Sequence, residues 1–457
     1  MQQTHPPSPV DAREPGTDRL VIDALFSDYP FPGFLDPIRQ RAAEFERAHP
    51  RYRVTVRGCG YEEIPAEVSR LALAGTPPTV ATYYSGASRQ ARDTVTRAGT
   101  PLFTSIERAV DGRSHILGER VMLDDLTAPA RGFFTYQGDL TSLPLSASTM
   151  LFYVNTTLLR AAGVWDVPRT WREVELACAR VAALRPGVRG VTWPNDGKLV
   201  QQWLSQQGAP LLDRDNGRAG RATTVNLTSE PMLALADWWA GLQRRGYFSY
   251  SGVLEDWPGN AAEFVGQRVA MRVGSSFEAD FMRAAGQREG FDVAVAELPH
   301  RDGVAPVGNW IGGDSVWLAD GLDPEVRDGA LAFLMYLGTP ENAARWRAAS
   351  GSTPVVRSAI DRLEADGWFA GNPHHRVAVD QIARTDGTPG SYSPIIPGSY
   401  GVQMAVMEAM DDVLRHGVEP ADRLARAEPV AQRALAEYNA IVAAAGPRDP
   451  VWLRVGT

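Results

Sequence analysis

Apolar residues recur along this chain in two alternating periods. Leu20 to Phe26 is a short apolar run with β-branched residues, which predicts a strand. Phe34 to His49 then places Leu35, Ile38, Ala42 and Phe45 on one helical face, and Pro50 stops it. Tyr52 to Val56 alternates as a strand. Ile64 to Ala74 returns to helical spacing through Ile64, Val68 and Leu71 and closes at Gly75, a natural residue just past a helix end. Thr79 to Tyr83 predicts a third strand. Strand, helix, strand, helix, strand implies parallel pairing through right-handed crossovers, and hence an α/β class.

The same signals continue downstream. Met150 to Asn155 and Arg268 to Val273 read as strands, the second followed by a helix starting near Phe277. Thr170-Trp171-Arg172-Glu173 is a capping-box sequence opening a helix whose apolar stripe holds Val174, Cys178 and Val181. Ser229 with Pro231 behind it predicts a helix that closes at Gly246. Asp323-Pro324 and Thr339-Pro340 each pair a capping residue with proline in the first helical turn, and the second of these helices ends at Gly351. From Val402 to about Ala445 the pattern is helical, broken near Gly417 to Pro420 and distorted at Pro429.

A chain of 457 residues is too long for one core and suits two lobes. Its net charge of −8 and the lack of any Lys/Arg cluster argue against nucleic acid or an anionic membrane as the main partner. No apolar run reaches the length of a membrane span. Met1 to Arg19 is polar and Pro-rich, without the apolar region of an export signal, so the sequence as it stands reads as cytoplasmic. The two cysteines, Cys59 and Cys178, make no disulfide framework. Lys198 is the single lysine, against 45 arginines. His374-His375, beside Pro373, lack zinc-site spacing and read as a solvated loop, so no metal is expected. No phosphate loop, dinucleotide fingerprint or GxSxG is present, and no cofactor is expected.

Six phrases carry a more specific signal: GDLTSLPLSASTMLFYVNTTLLRAAGV (Gly138 to Val164), RTWREV (Arg169 to Val174), GYFSYSG (Gly246 to Gly252), FVGQRVAMRVGSS (Phe264 to Ser276), IGGDSVWL (Ile311 to Leu318) and FLMYLGTPENAARWRAASGSTPV (Phe333 to Val355). In this order the chain, from about Leu20 to Asn439, resembles family 1 of the extracellular solute-binding proteins, the receptors of ABC importers for sugars and glycerol phosphates. The resemblance implies a two-lobed fold of the periplasmic-binding-protein type II class, an extracytoplasmic place of work, an ABC permease as partner, and a monomer closing on a small polyhydroxylated ligand. It divides the chain into a disordered tail (1–19), a first lobe (20–143 plus 305–350), a second lobe (147–300 plus 354–445) and a C-terminal tail (446–457). Crossings are expected near Leu143 to Ala147, Pro299 to Val307 and Ser350 to Pro354.

The resemblance also implies a ligand site. Tyr61 matches a cleft tyrosine. Tyr84 stands where the glycerol-phosphate receptors place an acid. Ser148 falls in the hydroxyl-bearing crossing segment, and Trp193 at a stacking tryptophan, with Lys198 close by. Ser275 or Ser276 matches a ligand serine. Gly313 matches a backbone contact, and Asp314 adds a carboxylate where the family has a small neutral residue. Ser352 replaces a tyrosine of the glycerol-phosphate receptors, and Tyr400 lies in PGSYGVQ where they carry a phosphate-clamping arginine. A neutral sugar or polyol is therefore expected over glycerol 3-phosphate, unless Lys198 supplies the missing positive charge for a glycerol-phosphate-like ligand. The alternative is a cytosolic enzyme recruited from this fold, with Cys59, Lys198 and Asp314 as its reactive groups.

Overall fold

The computed structural model describes residues 18–29 and 33–444. Of the tails expected at 1–19 and 446–457, residues 1–17 and 446–457 lie outside the described residues, while Arg19 is tied to the first lobe through Glu46 and Tyr52 C=O. Two sheets organise two lobes. In the first, Tyr52–Gly60, Leu20–Asp28 and Val80–Tyr84 lie side by side in parallel, with Leu20 opposite Tyr52 and Ala24 opposite Val80. Asp314–Ala319 then joins antiparallel, with Asp314 opposite Tyr84. The intervening helices are those the spacing predicts, Leu35–Ala48 and Ile64–Ala74, the latter ending on left-handed Gly75. Their apolar faces bury Ile38, Phe45, Ile64 and Val68.

The second sheet runs in the order Arg189–Thr192, Val269–Ser275, Met150–Asn155, Val293–Ala296. Its larger core gathers Trp171, Trp193, Trp203, Trp238 and Trp239 with the helices Trp171–Leu184, Gly197–Gln206, Glu230–Arg244 and Ser399–His416. Two helix-start expectations need correction. Thr170 Oγ1 accepts from Glu173 N–H, but Glu173 turns its carboxylate to Arg169 N–H, so only half of a capping box forms. Ser229 makes no side-chain cap; Pro231 and the buried face start that helix instead. The last helical stretch divides as expected, into Ser399–His416 and Pro420–Ala443, with Pro429 inside the second.

Three segments, at Ala147–Ser148, Gly312 and Thr353, pair with one another where the lobes meet. Ala147 exchanges backbone hydrogen bonds with Thr353 (3.0 and 2.8 Å), and Ser148 with Gly312 (3.2 and 2.8 Å). These bonds satisfy backbone groups that leave both sheets at once. Val355, Val356 and Ala359 lie in the first-lobe core, and Val355 C=O accepts from Thr127 N–H. The chain therefore stays on the first lobe past the expected crossing at 350–354.

Candidate functional site

The parallel strands of the first lobe point their carboxyl ends at the second lobe, the place where ligands bind in open α/β sheets. Three tyrosines stand just there. Tyr29 follows Leu20–Asp28, Tyr61 follows Tyr52–Gly60, and Tyr84 ends Val80–Tyr84. Tyr61 stacks on Tyr29 with ring centroids 4.9 Å apart and meets Tyr84 edge-on at 5.5 Å. The Tyr29 hydroxyl donates to Asp314 Oδ1 (2.9 Å), and Tyr61 donates to Glu62 (2.7 Å). Burial pushes the Asp314 carboxyl up to about 7, against the pull of hydrogen bonds from Tyr29 and Ser27. The register opposite Tyr84 and the turn before it set this carboxylate in place. Gly313 takes a φ of 88°, and a Cβ there would lie 2.4 Å from Ser146 C=O.

The second lobe answers with Lys198. Asp196 caps the helix Gly197–Gln206, accepting from Lys198 N–H (2.7 Å) and from Trp257 Nε1 (2.9 Å). The Lys198 ammonium lies 3.6 Å from the same carboxylate. Burial works against its charge, but Asp196, the Tyr61 and Tyr84 phenols across the cleft, and Glu255 together raise it above the usual lysine value. Burial, with Asp196 nearby, raises the Glu255 carboxyl in turn, on a residue held at a φ of 53°. The ammonium of one lobe thus faces the phenols of the other, ringed by acids.

The remaining expected residues divide. Ser275 Oγ accepts from Phe277 N–H while Glu278 returns a bond to Ser275 N–H, a complete capping box. Ser276 Oγ accepts from Thr149 N–H (3.2 Å). Both hydroxyls are therefore engaged with main chain. Ser148 is buried against Gly312 and Trp310. Ser352 Oγ bonds Ser350 Oγ at 2.8 Å. Tyr400 is exposed in the first turn of Ser399–His416, whose Gln403 packs on Gly197 beside Lys198.

Trp193 corrects an expectation. It is 1% exposed, stacked on Trp238 (5.4 Å), against Trp203 (4.9 Å) and Phe248 (4.6 Å), so its faces are taken by the second-lobe core. The histidine pair corrects another. His374 and His375 are buried at the start of the helix Pro373–Ala383, both donating to Asp280. Their nitrogens and the carboxylate lie within 4.8 Å of one another. Arg283 Nη1 donates to His374 Nδ1 (2.7 Å), which fixes Nε2 as the donor to Asp280. His374 is therefore neutral and held to Asp280 by a hydrogen bond, and burial lowers His375 to about 4, so it too meets Asp280 as a neutral donor.

Of the three groups of the enzyme alternative, neither Cys59 nor Lys198 is activated, and Asp314 alone has its carboxyl raised to about 7, by burial. Burial and then the Glu63 carboxylate raise the Cys59 thiol, which donates to Glu63 at 3.9 Å, the reverse of what a thiolate needs. Lys198 is held protonated. The sequence reading missed Tyr29 and Phe277. Phe277 crosses from the second lobe to meet Phe34 (5.1 Å) and Tyr29 (5.7 Å). The position of Tyr29 directly after a parallel strand was the available signal; for Phe277 there was none.

A family model described as bacterial extracellular solute-binding protein matches residues 40–377. The chain belongs to this family. Among curated relatives, the sn-glycerol-3-phosphate-binding periplasmic protein UgpB of Yersinia pseudotuberculosis is 24% identical over 294 residues. That match covers 63% of this chain and 64% of that protein, so the chain spans less than two thirds of that relative's length. The Salmonella typhimurium counterpart is 23% identical over 395 residues, covering 84% and 83%. Among solved structures, the cyclic alpha-maltosyl-1,6-maltose binding protein of Arthrobacter globiformis superposes with a TM-score of 0.75 at 19% identity, covering 92% of this chain and all of that one. UgpB of Mycobacterium tuberculosis, in complex with glycerophosphocholine, gives 0.70 at 20%, covering 90% and 98%. These likenesses establish the two-lobed solute-binding fold and the extracellular family type. Among the described residues no helix is long and apolar enough to cross a membrane.

Proposed function

We propose that this protein binds a small polyhydroxylated solute, a saccharide or a related polyol, between its lobes and hands it to an ABC permease as a monomeric receptor working outside the cytoplasmic membrane. The observation that carries this reading is the Tyr29–Tyr61–Tyr84 cluster, with Asp314 beneath it, set against Lys198 of the opposite lobe. Tyrosine faces suit the C–H surface of a sugar ring, and the phenols, carboxyl and ammonium offer directed bonds to hydroxyls. Family membership and relatives that bind sugars or glycerol phosphates support the same class. Asp196 and Glu255 beside the one ammonium, with no arginine in the segment Pro397 to Gln403, disfavour a phosphate monoester. Ligand closes the lobes only through its higher affinity for the closed state.

The test is isothermal titration with mono- and oligosaccharides, polyols, glycerophosphodiesters and glycerol 3-phosphate, on the wild type and Tyr61→Ala. Saturable binding of a neutral sugar or polyol, weakened at least tenfold by Tyr61→Ala, is the expected result. Binding of glycerol 3-phosphate alone, or no binding across the panel, overturns it.

A further inference from the structure

A second cavity, of about 790 Å³, opens along the seam between the lobes. None of the cleft tyrosines, Asp314 or Lys198 lines it. Arg131 and Gln137 of the first lobe, Asp215 and Arg218 of the second, and Tyr392 share its wall. Arg218 is the notable member. Only 9% exposed, it lies between the rings of Phe133 and Tyr392, each 4.9 Å from its guanidinium carbon. Nη2 donates to Ser393 C=O (2.8 Å), while Nε and Nη1 have no partner. Burial lowers this guanidinium to about 9, with only the Tyr392 phenol pulling the other way. Arg92 of the first lobe repeats the pattern. It is half-buried, lacks partners at Nε and Nη2, and is lowered to about 9 by burial and by the like charges of Arg89 and Arg218, against the pull of Tyr136 and Asp93. Two guanidinium groups from opposite lobes thus repel one another without a carboxylate close to Arg218.

The backbone holds Arg218 there at some expense. Arg214, Asp215 and Asn216 all take left-handed φ values of 53° to 55°. Such a turn costs roughly 1–2 kcal/mol per residue and survives only when its surroundings over-determine it. Asn216 supplies that constraint, accepting from Leu211 N–H and Leu212 N–H and donating to Tyr392 C=O. A buried, unpaired charge on a strained, pinned turn beside an open cavity calls for a counter-charge.

We propose that the seam cavity binds a small oxyanion, a carboxylate or phosphate group held by Arg218, with Arg131, whose guanidinium already pairs with Glu107 and Leu123 C=O, adding positive charge to the wall, and that its occupancy favours this arrangement of the lobes because both contribute to the wall. Guanidinium forks match either oxyanion. The site is separate from the solute cleft, and its test does not depend on the cleft ligand.

Inorganic phosphate and citrate are titrated calorimetrically at ionic strength held constant with chloride, into the wild type, Arg218→Met and Arg131→Gln. The expected result is saturable one-to-one binding, at least tenfold weaker in Arg218→Met and several-fold weaker in Arg131→Gln. Arg218→Met, relieved of a buried charge, keeps or raises the melting temperature of the anion-free protein. Binding of only one of the two anions supports the site and identifies its chemistry. No saturable heat with either anion, or equal binding by the wild type and Arg218→Met, overturns the proposal. If Arg218→Met does not fold, equal binding by the wild type and Arg131→Gln overturns it.

Discussion

The two lobes each gather aromatic rings beside the ends of their sheet strands, and use them in opposite ways. In the second lobe Trp193 follows Arg189–Thr192 and is sealed by Trp203, Trp238 and Phe248. In the first, Tyr61 follows Tyr52–Gly60 and stacks only on Tyr29, with its hydroxyl on Glu62 and the opposite lobe in front. Equivalent positions relative to a strand end therefore yield a core ring in one lobe and a cleft ring in the other. What differs is the cover. The helices Gly197–Gln206 and Glu230–Arg244 bring their own tryptophans over Trp193, while the first-lobe strand ends bring Tyr29 and Tyr84 against Tyr61.

That contrast predicts a ranking. Trp193→Ala should remove a filled core ring and lower unfolding stability by about 3–5 kcal/mol, measured by denaturant melts. Unchanged stability would place Trp193 at a surface and erase the distinction. Asp314→Asn should come next, through pH. The folded carboxyl holds its proton up to about 7, whereas the unfolded one loses it near its ordinary value of 3.8. Between those limits the native state binds more protons, so wild-type stability falls as pH rises, by up to about 4 kcal/mol, and is flat above. The Asn variant should lose that slope in melts taken from pH 4 to 8; an identical slope would remove the buried acid from the account.

Tyr61→Ala should cost about 1 kcal/mol of stability, from one stacked pair, yet weaken solute binding at least tenfold. Lys198→Met should lower the melting temperature, because the buried Asp196 carboxylate loses its counter-charge and keeps only its bonds from Trp257 and the backbone, and should weaken solute binding several-fold. The smallest effect belongs to Cys59→Ala. Stability should change by no more than about 0.5 kcal/mol, with solute binding intact, because the thiol makes one long contact to Glu63. Loss of binding there would return Cys59 to the centre of the site.

The alternation of periods in Leu20 to Tyr84, the glycine closing Ile64–Ala74 and the proline-led helices at Pro324 and Pro340 are local signals, and they alone determined the parallel α/β first lobe. The ordered phrases carried the two-lobed family. The resemblance they carry also named Tyr61, Tyr84, Lys198 and Asp314, which the tertiary structure places at the junction of the lobes: Tyr61, Tyr84 and Asp314 stand at strand ends of the first lobe, and Lys198 opens the helix Gly197–Gln206 opposite the two phenols. What local sequence does not contain is which neighbour covers a side chain. Trp193 needed three distant aromatic residues to become core, His374 and His375 needed Asp280 from another helix to become buried, and Tyr29 and Phe277 met only when the lobes approached. Burial and charge pairing are properties of contacts between segments far apart in the chain, so the tertiary structure alone decided them.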